Sequence, residues 1–153
     1  MGTWSDFLAA QPQLAAAVCT LLRQYGPGFG YLATVRADGG PRVHPVSPVI
    51  ADGGLFCFIV DSPKRDDLER DGRYALHSYP PEHSDDEAYL SGRAVPVTDV
   101  GRASRIAAVA RAAPGADWRL FEFTIEVAMV VRRRSSAASS GTAAPVSQQI
   151  WHG

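Results

Sequence analysis

"YLATVRADGGPRVHPVSPVIADGGLFCFI", residues 31–59, holds two copies of ADGG, at 37–40 and 51–54, each between apolar runs of strand character. Asp-Gly and Gly-Gly in that setting signal hairpins, because both residue types accept the positive φ of tight turns. The reading is a three-strand meander over about residues 30–60: GYLATVR, RVHPVSPVI and LFCFIV. The third strand is apolar at every position, which predicts cover on both faces. The second carries Pro45 and Pro48. Proline has no N–H to give a ladder, so this strand lies at an edge, is bulged, or turns backbone toward a partner other than a strand.

Working outward, TWSDFLAAQPQLAAAVCTLLRQYG (3–26) reads as helix. Thr3 or Ser5 caps it, Pro12 restarts or kinks it, and Leu14, Val18, Leu21 and Leu22 form its apolar stripe. GPGFG (26–30) has no strand before it, so it is a turn and not a dinucleotide fingerprint. After the meander, Ser62 caps a short helix over 63–71 with Pro63 at its first position. GRYALHSY, the polar loop PPEHSDD and EAYLSGRAVPV follow, then a helix from Thr98 or Asp99 to about Ala113, ended by Pro114 and Gly115. In WRLFEFTIEVAMVVR (118–132), Phe121, Phe123, Ile125, Val127, Met129 and Val131 alternate with more polar residues, giving an antiparallel strand with one core face. Residues 1–132 thus make one domain, 133–147 a polar linker or loop, and 148–153 a terminal segment whose Trp151 docks back onto the barrel or a partner. The fold class is mainly β with short helices, a small closed or half-open barrel of about six strands.

Composition removes several functions. A net charge of −1 does not suit a general basic field for nucleic acid, and the run Arg132–Arg134 reads as solvated. No run of eighteen apolar residues spans a membrane, and no secretory signal opens the chain. Cys19 and Cys57 lack metal-ligand spacing and read as buried thiols of a cytoplasmic protein. His77, His83, Asp85, Asp86 and Glu87 form a solvated acidic stretch without the fixed geometry of a metal site. His44 either decorates its strand or faces a groove. Lys64 is the only lysine among fifteen Lys and Arg residues. It stands with Arg65 at the positive end of a helix dipole, where cations are disfavoured unless an anion arrives.

In order and spacing, YLATVRADGGPRVHPVSPVIADGGLFCFI, SPKRDDLERDGRYAL and AYLSGRAVPV resemble the flavin-binding split-barrel family that includes pyridoxamine 5′-phosphate oxidase. The resemblance runs from about Gly30 to Val97 and returns weakly in the last strand and Trp151. It implies a six-stranded antiparallel split barrel with Greek-key topology, paired as a homodimer. Flavin mononucleotide (FMN), or in related branches a deazaflavin coenzyme, lies in grooves between the subunits. By position, Val46, Ser47 and Pro48 would edge the flavin ring, with Cys57 and Phe58 of the next strand. Ser62, Lys64 and Arg65 would meet the phosphate, and Trp151 would join the groove.

The expected activity is that of a flavin-dependent oxidoreductase on a small-molecule substrate. The cofactor does the chemistry, so no catalytic acid or base is assigned. The alternatives are a deazaflavin-dependent reductase and a non-catalytic flavin- or haem-binding module. Two residues depart from the pattern. Pro63 stands where the family often has arginine, and Glu87 stands near where related oxidases place an uncharged hydrogen-bonding side chain.

Overall fold

The structure, a computed structural model, describes residues 1–133 and 146–153. Twelve elements follow in chain order: α1 (Trp4–Ala10), α2 (Pro12–Arg23), β1 (Gly30–Val35), β2 (Pro41–Val46), β3 (Val49–Ala51), β4 (Gly54–Val60), α3 (Pro63–Arg70), β5 (Arg73–Ser78), β6 (Glu87–Pro96), α4 (Val100–Ala110), β7 (Trp118–Arg133) and β8 (Val146–His152). The linker expected at 133–147 lies mostly outside the described residues.

The strands form one antiparallel sheet in the order β2-β1-β5-β6-β7-β4-β3, with β8 added on β7. The early strands are not a meander. RVHPVSPVI divides at Ser47 and Pro48: β2 pairs with β1, and β3 pairs with β4. These halves sit at opposite ends of the strand path, yet only two residues join them. So short a link forces the sheet to curl until its ends come near each other without pairing, which makes the half-barrel. Pro45 and Pro48 are tolerated because one lies on an end strand and the other in the break.

The two ADGG stretches make different turns. At 51–54 both Asp52 (φ 47°) and Gly53 (φ 73°) are left-handed, the two-residue type I′ hairpin. At 37–40 only Gly39 (φ 83°) is, and its amide donates to the Arg36 carbonyl at 2.9 Å, a type I turn followed by a left-handed glycine.

Alternation holds along β7 only as far as Ile125. Phe121, Phe123 and Ile125 are buried, then Ala128 and Val130 take over, while Val127 and Met129 are half-exposed. Ser91 pairs with Val127 but Gly92 pairs with Ile125, so Glu126 is an extra residue that shifts the parity by one. Gly92 permits the bulge: a Cβ there would lie 2.0 Å from the Thr124 carbonyl oxygen.

The core fills the barrel with Leu32, Leu55, Cys57, Ile59, Leu76, Leu90 and the buried side of β7. Helices α1 and α2 pack on it through Phe7, Leu14, Val18 and Leu22. Thr3 makes a reciprocal capping box with Asp6, and Pro12 starts a new helix. Outside the barrel, Ile106 of α4 covers Phe56 and Leu120. The second apolar face of β4 is therefore largely covered by the chain itself, and a partner subunit is not needed to explain it. Asp99 caps α4, which ends at Arg111 in a left-handed conformation (φ 52°), short of Pro114 and Gly115. Among the described residues no helix is long and apolar enough to cross a membrane.

Candidate functional site

Helix α3 leaves β4 at its Val60 end. Ser62 is the N-cap residue by backbone position, but its hydroxyl does not cap. It donates to the Val60 carbonyl at 2.8 Å. Pro63 has no N–H, so the first turn presents the Lys64 amide with no side chain to cap it.

The two cations that follow separate. Arg65 is buried and donates to Asp61 at 2.6 Å and to the Asp117 carboxylate at 3.2 and 3.3 Å. Hydrogen bonding to Asp117, reinforced by the nearby carboxylates, raises its pKa further. Arg65 fastens α3 to the entry of β7, and both of its terminal nitrogens are already engaged. Lys64 is half-buried and makes no ion pair among the described residues.

The rest of α3 is held by Asp67, whose side chain is 3% exposed. Its carboxylate accepts from Thr34 at 2.8 Å, Arg42 at 2.7 Å and Arg70 at 3.1 Å. Burial pushes the Asp67 pKa up, but the hydrogen bonds from Arg42, Thr34 and Arg70 outweigh it and leave the carboxyl below its ordinary value. Sequence reading passed over this hub, two of whose three partners, Thr34 and Arg42, lie on the β1–β2 hairpin 33 and 25 residues away.

The crossover residues expected to edge a flavin are Val46 and Pro48, both buried, and Ser47, exposed. Val49 pairs with Phe56, and Val60 lies four residues further along β4. The start of β3 and the entry to α3 are thus separated by roughly 13 Å of strand. Cys57 points into the core, where burial pushes its thiol up to about 12 against a weaker opposing effect of Lys64. Only its backbone could meet a ligand outside the barrel. Phe58, on the other face, is half-buried edge-on against Trp118, with ring centroids 4.7 Å apart.

Trp151 lies elsewhere within the chain. It sits on β8 opposite Ala128, ten residues along β7 from the level of Val60, or roughly 30 Å. Its ring packs 5.0 Å from that of Phe7. Glu87 is also away from α3: it faces His77 at 3.5 Å and Arg133 at 3.9 Å. His83 is almost wholly exposed beside Glu82. Among the described residues no cluster of three or more His, Cys, Asp or Glu side chains could hold a metal ion.

At the crossover a cavity of about 520 Å³ opens, bounded partly by Ser47 and Pro48. A second, of about 350 Å³, lies between α3 and the β1–β2 hairpin and includes Arg42, Pro63 and Asp66.

No family model matches the sequence, and no curated protein does. Solved structures do match. HutZ, the heme storage protein from Vibrio cholerae, is 19% identical over 76% of this chain and 89% of its own, with a TM-score of 0.59. PhzG from Burkholderia lata 383, solved with tetrahydrophenazine-1-carboxylic acid, is 16% identical over 94% and 91%, with a TM-score of 0.59. General Stress Protein 26 from Bacillus anthracis str. Sterne is 18% identical over 75% and 91%, with a TM-score of 0.59. At these identities the likeness is one of architecture: the chain has a split-barrel fold.

Proposed function

We propose that this protein binds flavin mononucleotide and acts as an oxidoreductase on a small molecule. The observation that carries the reading is Lys64, half-buried and without a carboxylate partner among the described residues, at an uncapped helix start beside an arginine that has two. That position suits a phosphate, which would accept from the ammonium and the backbone amide, and from the Ser62 hydroxyl once it turns away from the Val60 carbonyl. A flavin so anchored would extend toward Val46, Ser47 and Pro48 along the backbone of Cys57 and Phe58. When bound, it would supply hydride transfer; the chain would bind it, orient it and exclude water. Arg65 contributes by fixing α3, since its terminal nitrogens are engaged by Asp61 and Asp117.

The test compares FMN with riboflavin, which lacks the phosphate. Lys64→Ala should weaken FMN binding by roughly tenfold to a hundredfold, as the loss of a charge-assisted hydrogen bond does, and leave riboflavin almost unchanged. Equal losses for both ligands, or none for either, would remove Lys64 from the site.

A deazaflavin phosphate would use the same anchor. A second reading, a haem-binding module, is favoured by the likeness to a heme storage protein. The absorbance spectrum of the freshly purified protein separates these: flavin bands, deazaflavin bands or a haem Soret band. Pairing into a homodimer belongs to the same proposal. It is supported by the exposed apolar face of β1 and β2, where Tyr31 is 40% and Val43 60% exposed beside the end of the strand path. Sedimentation should give twice the chain mass; a monomer at micromolar concentration would refute it. Two free thiols suit a reducing cytoplasm.

A further inference from the structure

The cavity at the β2–β3 crossover has a composition that the flavin reading does not require. At about 520 Å³ it is of small-molecule size. Pro48, Val49, Ile50 and Val109 give it apolar walls, and among the described residues its charged lining residues are two arginines, Arg23 and Arg111. No lining residue is acidic. Neither arginine makes an ion pair among the described residues. Arg23, from the last turn of α2, reaches the Ile50 carbonyl at 3.3 Å, which steers its guanidinium to the cavity edge. Arg111 reaches the cavity from the end of α4, in a left-handed conformation that glycine would adopt without strain.

We infer that this cavity binds an organic oxyanion with an apolar body, its carboxylate or phosphate held between Arg23 and Arg111 and its body against Pro48, Val49, Ile50 and Val109. The two arginines, both exposed, come from different helices and line one largely apolar cavity. A single exposed arginine is met by water, but two beside an apolar wall favour an anion that brings its own apolar cover. The cavity shares Ser47 and Pro48 with the proposed flavin groove. Its role as a substrate pocket rests on that reading; its selectivity for oxyanions does not.

The test titrates the purified protein with 1-naphthoate, 1-naphthyl phosphate and uncharged 1-naphthalenemethanol by calorimetry. At least one anion should bind about tenfold or more tightly than the alcohol, and the tighter of the two names the headgroup. Arg23→Gln and Arg111→Gly should each weaken that anion about tenfold and leave the alcohol unchanged. Arg111→Gly also controls for folding, since glycine suits the left-handed cap: its melting temperature should hold or rise. Equal binding of all three probes, anion binding indifferent to both arginines, or no binding up to millimolar concentration would overturn the inference. If FMN does not bind while naphthoate binding still depends on the arginines, the flavin reading falls and the pocket stands.

Discussion

Asp67→Asn should loosen α3 without changing the shape of the side chain. The carboxylate is 3% exposed and takes three donors, two on one oxygen (Thr34 and Arg42) and one on the other (Arg70). Asparagine keeps one acceptor oxygen and turns the other position into a donor, so at least one of the three bonds becomes a clash of donors. Removing one partner of a fully buried pair costs about 3–5 kcal/mol. Here the Arg42 and Arg70 side chains are 30% and 41% exposed and can rehydrate, which reduces the cost to about 2–3 kcal/mol at pH 7. For a chain of this size that corresponds to a melting temperature lower by roughly 5–10 °C.

The pH dependence is a second constraint on the same variant. The folded-state pKa of Asp67 is lowered, so its contribution is complete above the unfolded carboxylate value of about 3.9. It declines as pH falls from there through the lower folded value, because the unfolded state takes up the proton first. Urea titrations of wild type and Asp67→Asn should therefore give a constant gap from pH 7 down to about 5, narrowing below about 4. Asp66→Asn, at an exposed neighbouring position, should change stability by less than about 0.5 kcal/mol. A gap under about 0.5 kcal/mol for Asp67→Asn, or one that does not narrow in acid, would refute the assignment of Asp67 as the anchor of α3.

Two further outcomes follow from burial and close packing. In the native protein at pH 8 Ellman's reagent should modify the half-buried Cys19 first, with Cys57 reacting only on unfolding, since its thiol is buried and pushed up to about 12; equal rates would contradict the placement of β4. Gly92→Ala should cost more than about 2 kcal/mol in a urea titration, because the new Cβ would meet backbone at 2.0 and 3.0 Å on the opposing strand, whereas a cost near zero would mean that the β7 bulge yields easily.

How much of this was legible in the sequence depends on how local each feature is. The strand character of Gly30 to Val60, the break at Pro12, read as a restart or a kink, and the caps, read as Thr3 or Ser5 and Thr98 or Asp99, are set by neighbours within a turn or two, and local pattern found them. The division of RVHPVSPVI was not found, because the prolines say only that a strand is irregular. Which neighbour each half takes depends on closing the sheet. The parity shift at Glu126 was missed for a similar reason. Both faces of β7 near the bulge carry apolar residues, so Val127 and Met129 look as fit for the core as Ala128 and Val130. The signal that could have found it is Gly92, a glycine inside a strand pattern, which often marks a bulge.

Lys64 and Arg65 carry the same charge on adjacent residues, and sequence alone gives no reason to separate them. The fold separates them by direction. One step along a helix turns a side chain by about 100°, so when one of the two faces the barrel end the other cannot. Arg65 faces it and meets Asp117, 52 residues later, together with Asp61. Two carboxylates against one guanidinium leave that side of α3 with surplus negative charge, which would not welcome a phosphate. Lys64 then carries the anion-binding capacity of the helix start, along with its own uncapped amide. Pro63 contributes no donor of its own, so if a phosphate binds here its hold depends on Lys64 far more than on Arg65. A FMN affinity that falls more for Arg65→Ala than for Lys64→Ala, with folding stability matched, would reverse that assignment.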